Sequence, residues 1–138
     1  MAMIEVDGLI ELGLDFEQLA EMPDTVLEDM LNSAADVVAK AQKDKGLAMN
    51  VRDTGDMLDS IRKGRVKRTE DGAVVYIAPR GSRAGRERNN QVIAFMNEYG
   101  TASQPPRPFI RDANEEAADE AVEAAEKVFD TWLQSKDL

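Results

Sequence analysis

The sequence predicts an α+β fold: a small antiparallel or mixed sheet, made of an N-terminal strand and a central hairpin, packed by two long helices. Three observations predict it. Apolar residues recur at helical spacing over 24–45 and again from Phe109 onward. Between these stretches lies Ala73-Val74-Val75-Tyr76-Ile77-Ala78, a β-branched and aromatic run that follows the turn signal Glu70-Asp71-Gly72. Finally, 138 residues with a 43 % apolar share suit a single domain, 1–138, with a real core.

The elements follow in order. Residues 3–9 alternate apolar and acidic (Ile4-Glu5-Val6-Asp7-Gly8-Leu9) and read as a short strand ending near Gly8. Asp15 to Met22 reads as a short helix closed by Pro23. Asp24 is an N-cap candidate for the first long helix, whose stripe is Leu27, Met30, Leu31, Ala34, Val37, Val38 and Ala41, with Gly46 as the stop. Leu47 to Asp53 reads as loop, and Thr54 caps a short turn through Ile61. Residues 62–69 and 73–79 form the antiparallel hairpin, ended by Pro79. The basic, Gly-containing stretch 80–91 reads as a flexible exposed loop. Gln91 to Tyr99 is a short helix using Val92, Ile93, Phe95 and Met96. The prolines of 100–108 exclude regular helix. The last helix starts near Phe109, with a stripe of Ile110, Ala113, Ala117, Ala121, Ala124, Val128, Trp132 and Leu133. The expected order is β-α-α-β-β-α-α.

Cysteine and histidine are absent. That removes disulfides, thiolate nucleophiles, Cys/His zinc sites, imidazole chemistry and the triads built on it. The longest apolar runs are a few residues, too short for a membrane span. The start, Met1-Ala2-Met3-Ile4-Glu5, lacks the basic and apolar regions of a secretory signal.

Net charge is −10, unevenly spread. Residues 1–50 hold 11 acids and 3 bases, 51–111 hold 7 and 12, and 112–138 hold 9 and 2. A basic middle between acidic ends suits a head-to-tail contact between copies, which closes into a ring when the rotation allows. Neutralisation within one chain explains the same layout equally well.

Candidate chemistry is sparse. Asp56 and Asp59, and the acids Glu115, Glu116, Asp119, Glu120 and Glu123, read as solvated helix faces, because catalytic carboxylates need a cleft that separates their pKa values. Residues 80–85 lack the Gly-Lys-Ser/Thr ending of a phosphate loop. The loop's arginines can touch nucleic-acid phosphates without specificity, but the overall acidity and missing aromatics speak against sequence-specific recognition. The reading is therefore of a protein that is not an enzyme and has no cofactor or metal.

The segment Glu98-Tyr99-Gly100-Thr101 followed by Pro105-Pro106-Arg107-Pro108-Phe109-Ile110-Arg111 reads as structural. Gly100 can take positive φ and end a helix, Glu98 can pair with Arg107, and Phe109 can plug the core. This segment resembles the E-[FY]-G-T … P-x-R-P-F-[LI]-R signature of a neck family of long-tailed phages, the tail-completion or head–tail joining proteins of minor tail protein Z type. Val6-Asp7-Gly8-Leu9 resembles that family's opening strand and Gly-Leu turn, and 24–45 its long Ala-rich helix. Thr54-Gly55-Asp56-Met57-Leu58-Asp59-Ser60-Ile61 looks like its T-G-x-L-x-x-S-I motif.

The resemblance implies a structural virion protein at the head–tail junction, made in the bacterial host cytoplasm. It implies a homo-oligomeric ring that completes the tail or joins it to the capsid. Its partners would be itself and the head-closure, tail-terminator or tail-tube proteins, with no membrane involved. Arg80, Arg83, Arg86 and Arg88 are the expected inter-subunit or partner interface, facing an acidic helix. The competing expectation is a cytosolic adaptor or regulatory protein that offers its acidic helix to a basic partner.

Overall fold

A computed structural model describes residues 3–6, 9–13, 22–51, 55–70, 72–81 and 89–135, with only the backbone path given for 3–6 and 9–13. The chain runs β1 (Met3–Val6), β2 (Leu9–Gly13), α1 (Asp24–Ala48), α2 (Asp56–Asp59), β3 (Arg62–Lys63), β4 (Lys67–Thr69), β5 (Gly72–Ala78), α3 (Asn90–Tyr99) and α4 (Phe109–Ser135). The α+β class holds. Among the described residues the sheet has five short strands rather than three, and each of their pairings is antiparallel, the first of the two arrangements expected.

The additional strand at the N-terminus comes from a turn read as an end. Val6 pairs with Ile10 and Met3 with Gly13, so β1 is followed by an antiparallel partner, β2. Positions 7 and 8 lie outside the described residues, as does most of the expected 15–22 helix. β2 then pairs with β5, Ile10 opposite Val75, which makes β5 the centre of the sheet.

The predicted 62–69 strand is broken in two. Lys63 lies opposite Ile77, and Gly64 N–H still donates to Tyr76 O at 2.8 Å. Past that point the register moves by one, with Lys67 opposite Val74 and Arg68 opposite Ala73. This is a β-bulge at 65–66. It reverses which side chains face the helices. Directly opposed residues share a face, and Ala73 and Ile77 are buried, so Lys63 and Arg68 point toward α1. There Lys63 meets Asp36 at 2.7 Å and Arg68 meets Asp24 at 2.7 Å. Five strand residues span about 17 Å and the twelve helix residues from 24 to 36 about 18 Å, so both pairs fit one antiparallel crossing. These exposed pairs realise part of the expected neutralisation within the chain.

Helix α1 buries Leu27, Met30, Leu31, Ala34, Ala35 and Val38, and packs on β2, β3 and β5. Its most extensive contact is with α4, whose buried stripe is Phe109, Ala113, Asn114, Ala117, Ala121 and Ala125. Ala125 holds the inner position and the expected Ala124 is half-buried. Across this contact Gln42 Nε2 donates to Asn114 Oδ1 at 2.9 Å, both residues fully buried.

The ends of α1 differ from expectation. Pro23, extended at ψ 146, precedes the helix, and Asp24 stands inside the first turn. Gly46 does not stop it. It is buried within α1, where an added Cβ would lie 2.4 Å from Leu58 Cδ2. The stop is Asn50, left-handed at φ 59. Val51 N–H donates to Gly46 O at 2.8 Å and Asn50 N–H to Leu47 O at 3.2 Å, the hydrogen-bond pattern of a Schellman cap. Asparagine tolerates this region because its short polar side chain offsets the steric cost.

Replacing Asn114 alone by Leu should lower unfolding free energy by about 1–3 kcal/mol, because the buried Gln42 amide loses an acceptor. The double variant Gln42→Leu/Asn114→Leu should recover most of that loss. Urea denaturation of the three proteins measures it.

Candidate interface at the helix junction

Helix α3 begins where Asn89 caps it, its side chain accepting from Val92 N–H at 2.9 Å. The segment before α3 is tied at its base. Asn90 N–H donates to Gly81 O at 2.9 Å, and Asn90 Nδ2 donates to Arg80 O at 2.9 Å. The loop is thus two residues shorter than expected at its far end, since α3 starts at Asn90. Arg80 is half-buried. Its N–H donates to Ser60 Oγ at 3.2 Å, and its guanidinium lies where a Cβ on Gly64 would sit, at 2.7 Å. Arg83, Arg86 and Arg88 lie outside the described residues, and with them the flexibility expected of 80–91.

At the far end of α3, Gly100 takes φ +81, and a Cβ there would meet Pro106 N at 2.8 Å and Gln104 O at 2.9 Å. Glycine is therefore required for the chain to close the Thr101–Gln104 bridge, where Thr101 N–H donates to Gln104 O at 2.8 Å. Gln104 also donates through Nε2 to Asn97 Oδ1 at 3.0 Å, and Arg107 N–H donates to Asn97 O at 2.6 Å. Pro105 and Pro106 stand exposed on the outside of this turn, Pro108 is half-buried, and Phe109 is fully buried in the core as expected.

Glu98 and Arg107 do not use their charges on each other, as the sequence suggests. Glu98 accepts from Ile110 N–H at 2.8 Å and Arg111 N–H at 3.2 Å. It is the anionic cap of α4, supplied from another helix, and it sits at the positive end of the macrodipole. Arg107 Nη1 donates to Asn50 O at 2.6 Å, at the C-terminal cap of α1. A cation there faces the negative end of that dipole. Each side chain thus serves the helix end of opposite sign, and two helix termini are sealed by one short segment.

The second expected motif has a similar role. Gly55 takes φ 91 ahead of α2, which packs against α1 and α3, and Met57, Leu58 and Ile61 are buried. Ser60 Oγ donates to Met57 O at 2.7 Å. Thr54 lies outside the described residues.

Beside the junction is a groove of about 700 Å³ between α3 and the start of α4, with Pro79, Ala94, Phe95, Tyr99, Pro106 and Ile110 among its walls. Phe95 is 61 % exposed and Tyr99 67 %, and their rings pack at 4.8 Å between centroids, tilted by 48°. The sequence offers Val92, Ile93, Phe95 and Met96 as the apolar residues of this short helix. Of these, Val92 and Phe95 are the exposed ones, and Ala94 is the apolar residue of α3 that is buried. The signal was present, since Gln91, Phe95 and Tyr99 fall on one face at spacing four. Exposed paired aromatics of this kind suit contact with another protein.

Among the described residues no group of His, Cys, Asp or Glu could hold a metal ion, and no helix is long and apolar enough to cross a membrane. The pKa of exposed Lys40 is raised, mainly by its hydrogen bond to Asp44, which is a surface pair rather than a site.

Glu98→Ala should cost about 0.5–2 kcal/mol, the usual worth of a helix cap. Glu98→Gln should cost less, because an acceptor remains. Chemical denaturation resolves the two, and the loss should appear without any change in secondary-structure content.

Comparison with known proteins places residues 11–86, more than half of the chain, under a family model described as "Bacteriophage HK97-gp10, putative tail-component". No curated protein and no solved structure matches the chain.

Proposed function

The chain belongs to the HK97-gp10-like family of bacteriophage tail components, and from that premise we propose that it is a structural, non-enzymatic virion protein of the head–tail junction. In this reading, copies of the chain form a ring that completes the tail or joins it to the capsid neck, as the tail-completion proteins of minor tail protein Z type do. The observation that carries the reading is the family match over 11–86, which spans the end of β2, α1, the Gly55 turn and the whole central hairpin. The Glu98–Phe109 segment lies beyond the matched span and supports the reading through its resemblance to the neck signature alone.

Three features of the molecule agree with assembly as its work. Among the described residues, its most exposed large apolar side chains are an aromatic pair on a short helix rather than the lining of an enclosed cavity. Its signature residues Glu98, Gly100, Arg107 and Phe109 are spent on joining helices. Its charges are segregated, which favours oriented contacts between subunits. The partners are further copies of itself and the head-closure, tail-terminator or tail-tube proteins. Arg80, Arg83, Arg86 and Arg88 contribute to these contacts, and touch the passing genome only through phosphates.

Antibody to this protein, imaged by electron microscopy on intact particles, should label the head–tail junction. Particles that carry no label would sink the reading and favour the cytosolic adaptor. Replacing Arg83, Arg86 and Arg88 by Ala should reduce the share of joined particles while leaving the melting temperature of the free protein within about 2 °C of the parent, as substitutions in the surface loop that the sequence predicts there would.

A further inference from the structure

The bulge at 65–66 sorts the cations of the sheet edge into two sets. Lys63 and Arg68 turn inward and are matched by Asp36 and Asp24 of α1. Arg62, Arg65 and Lys67 are left exposed on the outer side of the same edge. Among the described residues, Arg62 and Arg65 have no carboxylate partner, and Lys67 lies 5.6 Å from the centre of the Tyr76 ring. An edge with a bulge and dense positive charge resists addition of a further strand. Its side chains, not its backbone, are what it offers.

Helix α4 presents the complementary surface. Glu115, Asp119, Glu123, Glu126 and Asp130 are all exposed, and at 3.6 residues per turn they fall within roughly 80° of the helix circumference, opposite the alanine stripe. The other acids of the helix are partly spoken for, Glu116 by Lys45 at 2.6 Å and Asp112 by Arg111 at 3.5 Å. The acidic face from 115 to 130 is about 22 Å long, and the basic edge from 62 to 67 about 17 Å. Both belong to one chain but lie on different elements of it, since α4 packs on α1 and β1 while the basic edge lies beyond β5.

We propose that the outer basic edge of β3–β4, through Arg62, Arg65 and Lys67, receives the acidic face of α4 from a second copy of this chain. The contact is heterologous, so each copy uses its edge on one neighbour and its helix on the other. It rests on the assembly reading above and supplies the surfaces that reading leaves unnamed. It also answers the repulsion that a net charge of −10 imposes between copies, because the approach sets positive against negative.

The test uses the purified full chain and three variants: Arg62→Glu/Arg65→Glu, Glu123→Lys/Glu126→Lys, and all four changes together. All these side chains are exposed, and matching thermal melts confirm folding. Should the reversal lower the melt, Arg62→Gln/Arg65→Gln replaces it. Sedimentation velocity over a concentration series reads association at low and high salt. Each reversed pair should raise the concentration needed for association by at least about tenfold, as loss of close interfacial charge pairs does, and the combined variant should regain it. Added salt should weaken the parent. If the parent associates and the reversals change nothing, the contact is overturned while self-assembly stands. If the parent stays monomeric under every condition, both fall. If the Arg62/Arg65 reversal abolishes retention of duplex DNA and leaves association intact, the edge serves nucleic acid and the proposal is overturned.

Discussion

The close approach of α1 and α4 depends on alanine. Ala34 and Ala35 of α1 and Ala113, Ala117, Ala121 and Ala125 of α4 are all buried, the two helices make the most extensive contact between elements, and side chains this small let two helices pack closely. Everything else is arranged around that pair. The sheet lies beneath it, Phe109 fills one end, and Gln42 with Asn114 pins its register in a place where sliding would strand two amides. Because the helices run antiparallel, the C-terminus of α1 and the N-terminus of α4 arrive side by side. The junction segment is where both sets of open backbone groups are satisfied at once.

The long elements were legible because each announces itself locally. The stripes of α1 and α4, the β-branched run of β5 and the Pro79 stop need no knowledge of distant residues. What escaped was set by tertiary contact. Gly46 reads as a terminator until Leu58 is found against it, after which it reads as the one residue small enough for that helix face. The real terminator, Asn50, has a weaker intrinsic preference for the left-handed region and is supported by Arg107 from the other side of the chain. The β1–β2 hairpin escaped for a different reason. Asp7-Gly8 carries the same residue pair as Asp71-Gly72, but the strand that follows has only five residues and lacks the β-branched run that marks β5.

The junction was legible in its parts and not in its wiring. Gly100 as a positive-φ helix end and Phe109 as a core plug follow from residue type. The pairing of Glu98 with Arg107 was the natural expectation from opposite charge at short range. Helix ends outcompete it because a carboxylate that accepts two backbone N–H groups answers an obligation the backbone cannot meet alone. The exposure of Phe95 and Tyr99 was hidden by the habit of assigning apolar residues to the core. In a chain this acidic, the reverse inference deserves equal standing, since a bare aromatic face offers the least resistance to a neighbour.

The bulge between β3 and β4 also sets a rule for how this strand can change length. Between Lys63 and Lys67 the edge carries one residue more than β5 does between Ile77 and Val74, so removing one residue from 64–66 would restore regular pairing with Lys67 still opposite Val74 and Arg68 still opposite Ala73. Removing two would leave regular pairing only by placing Lys67 opposite Val75 and Arg68 opposite Val74, which turns Arg68 outward and Lys67 inward, away from the partners each now has. The spare residue is therefore slack in the length of this edge: one deletion is absorbed without moving a charge, and a second exchanges the inner and outer cations wholesale.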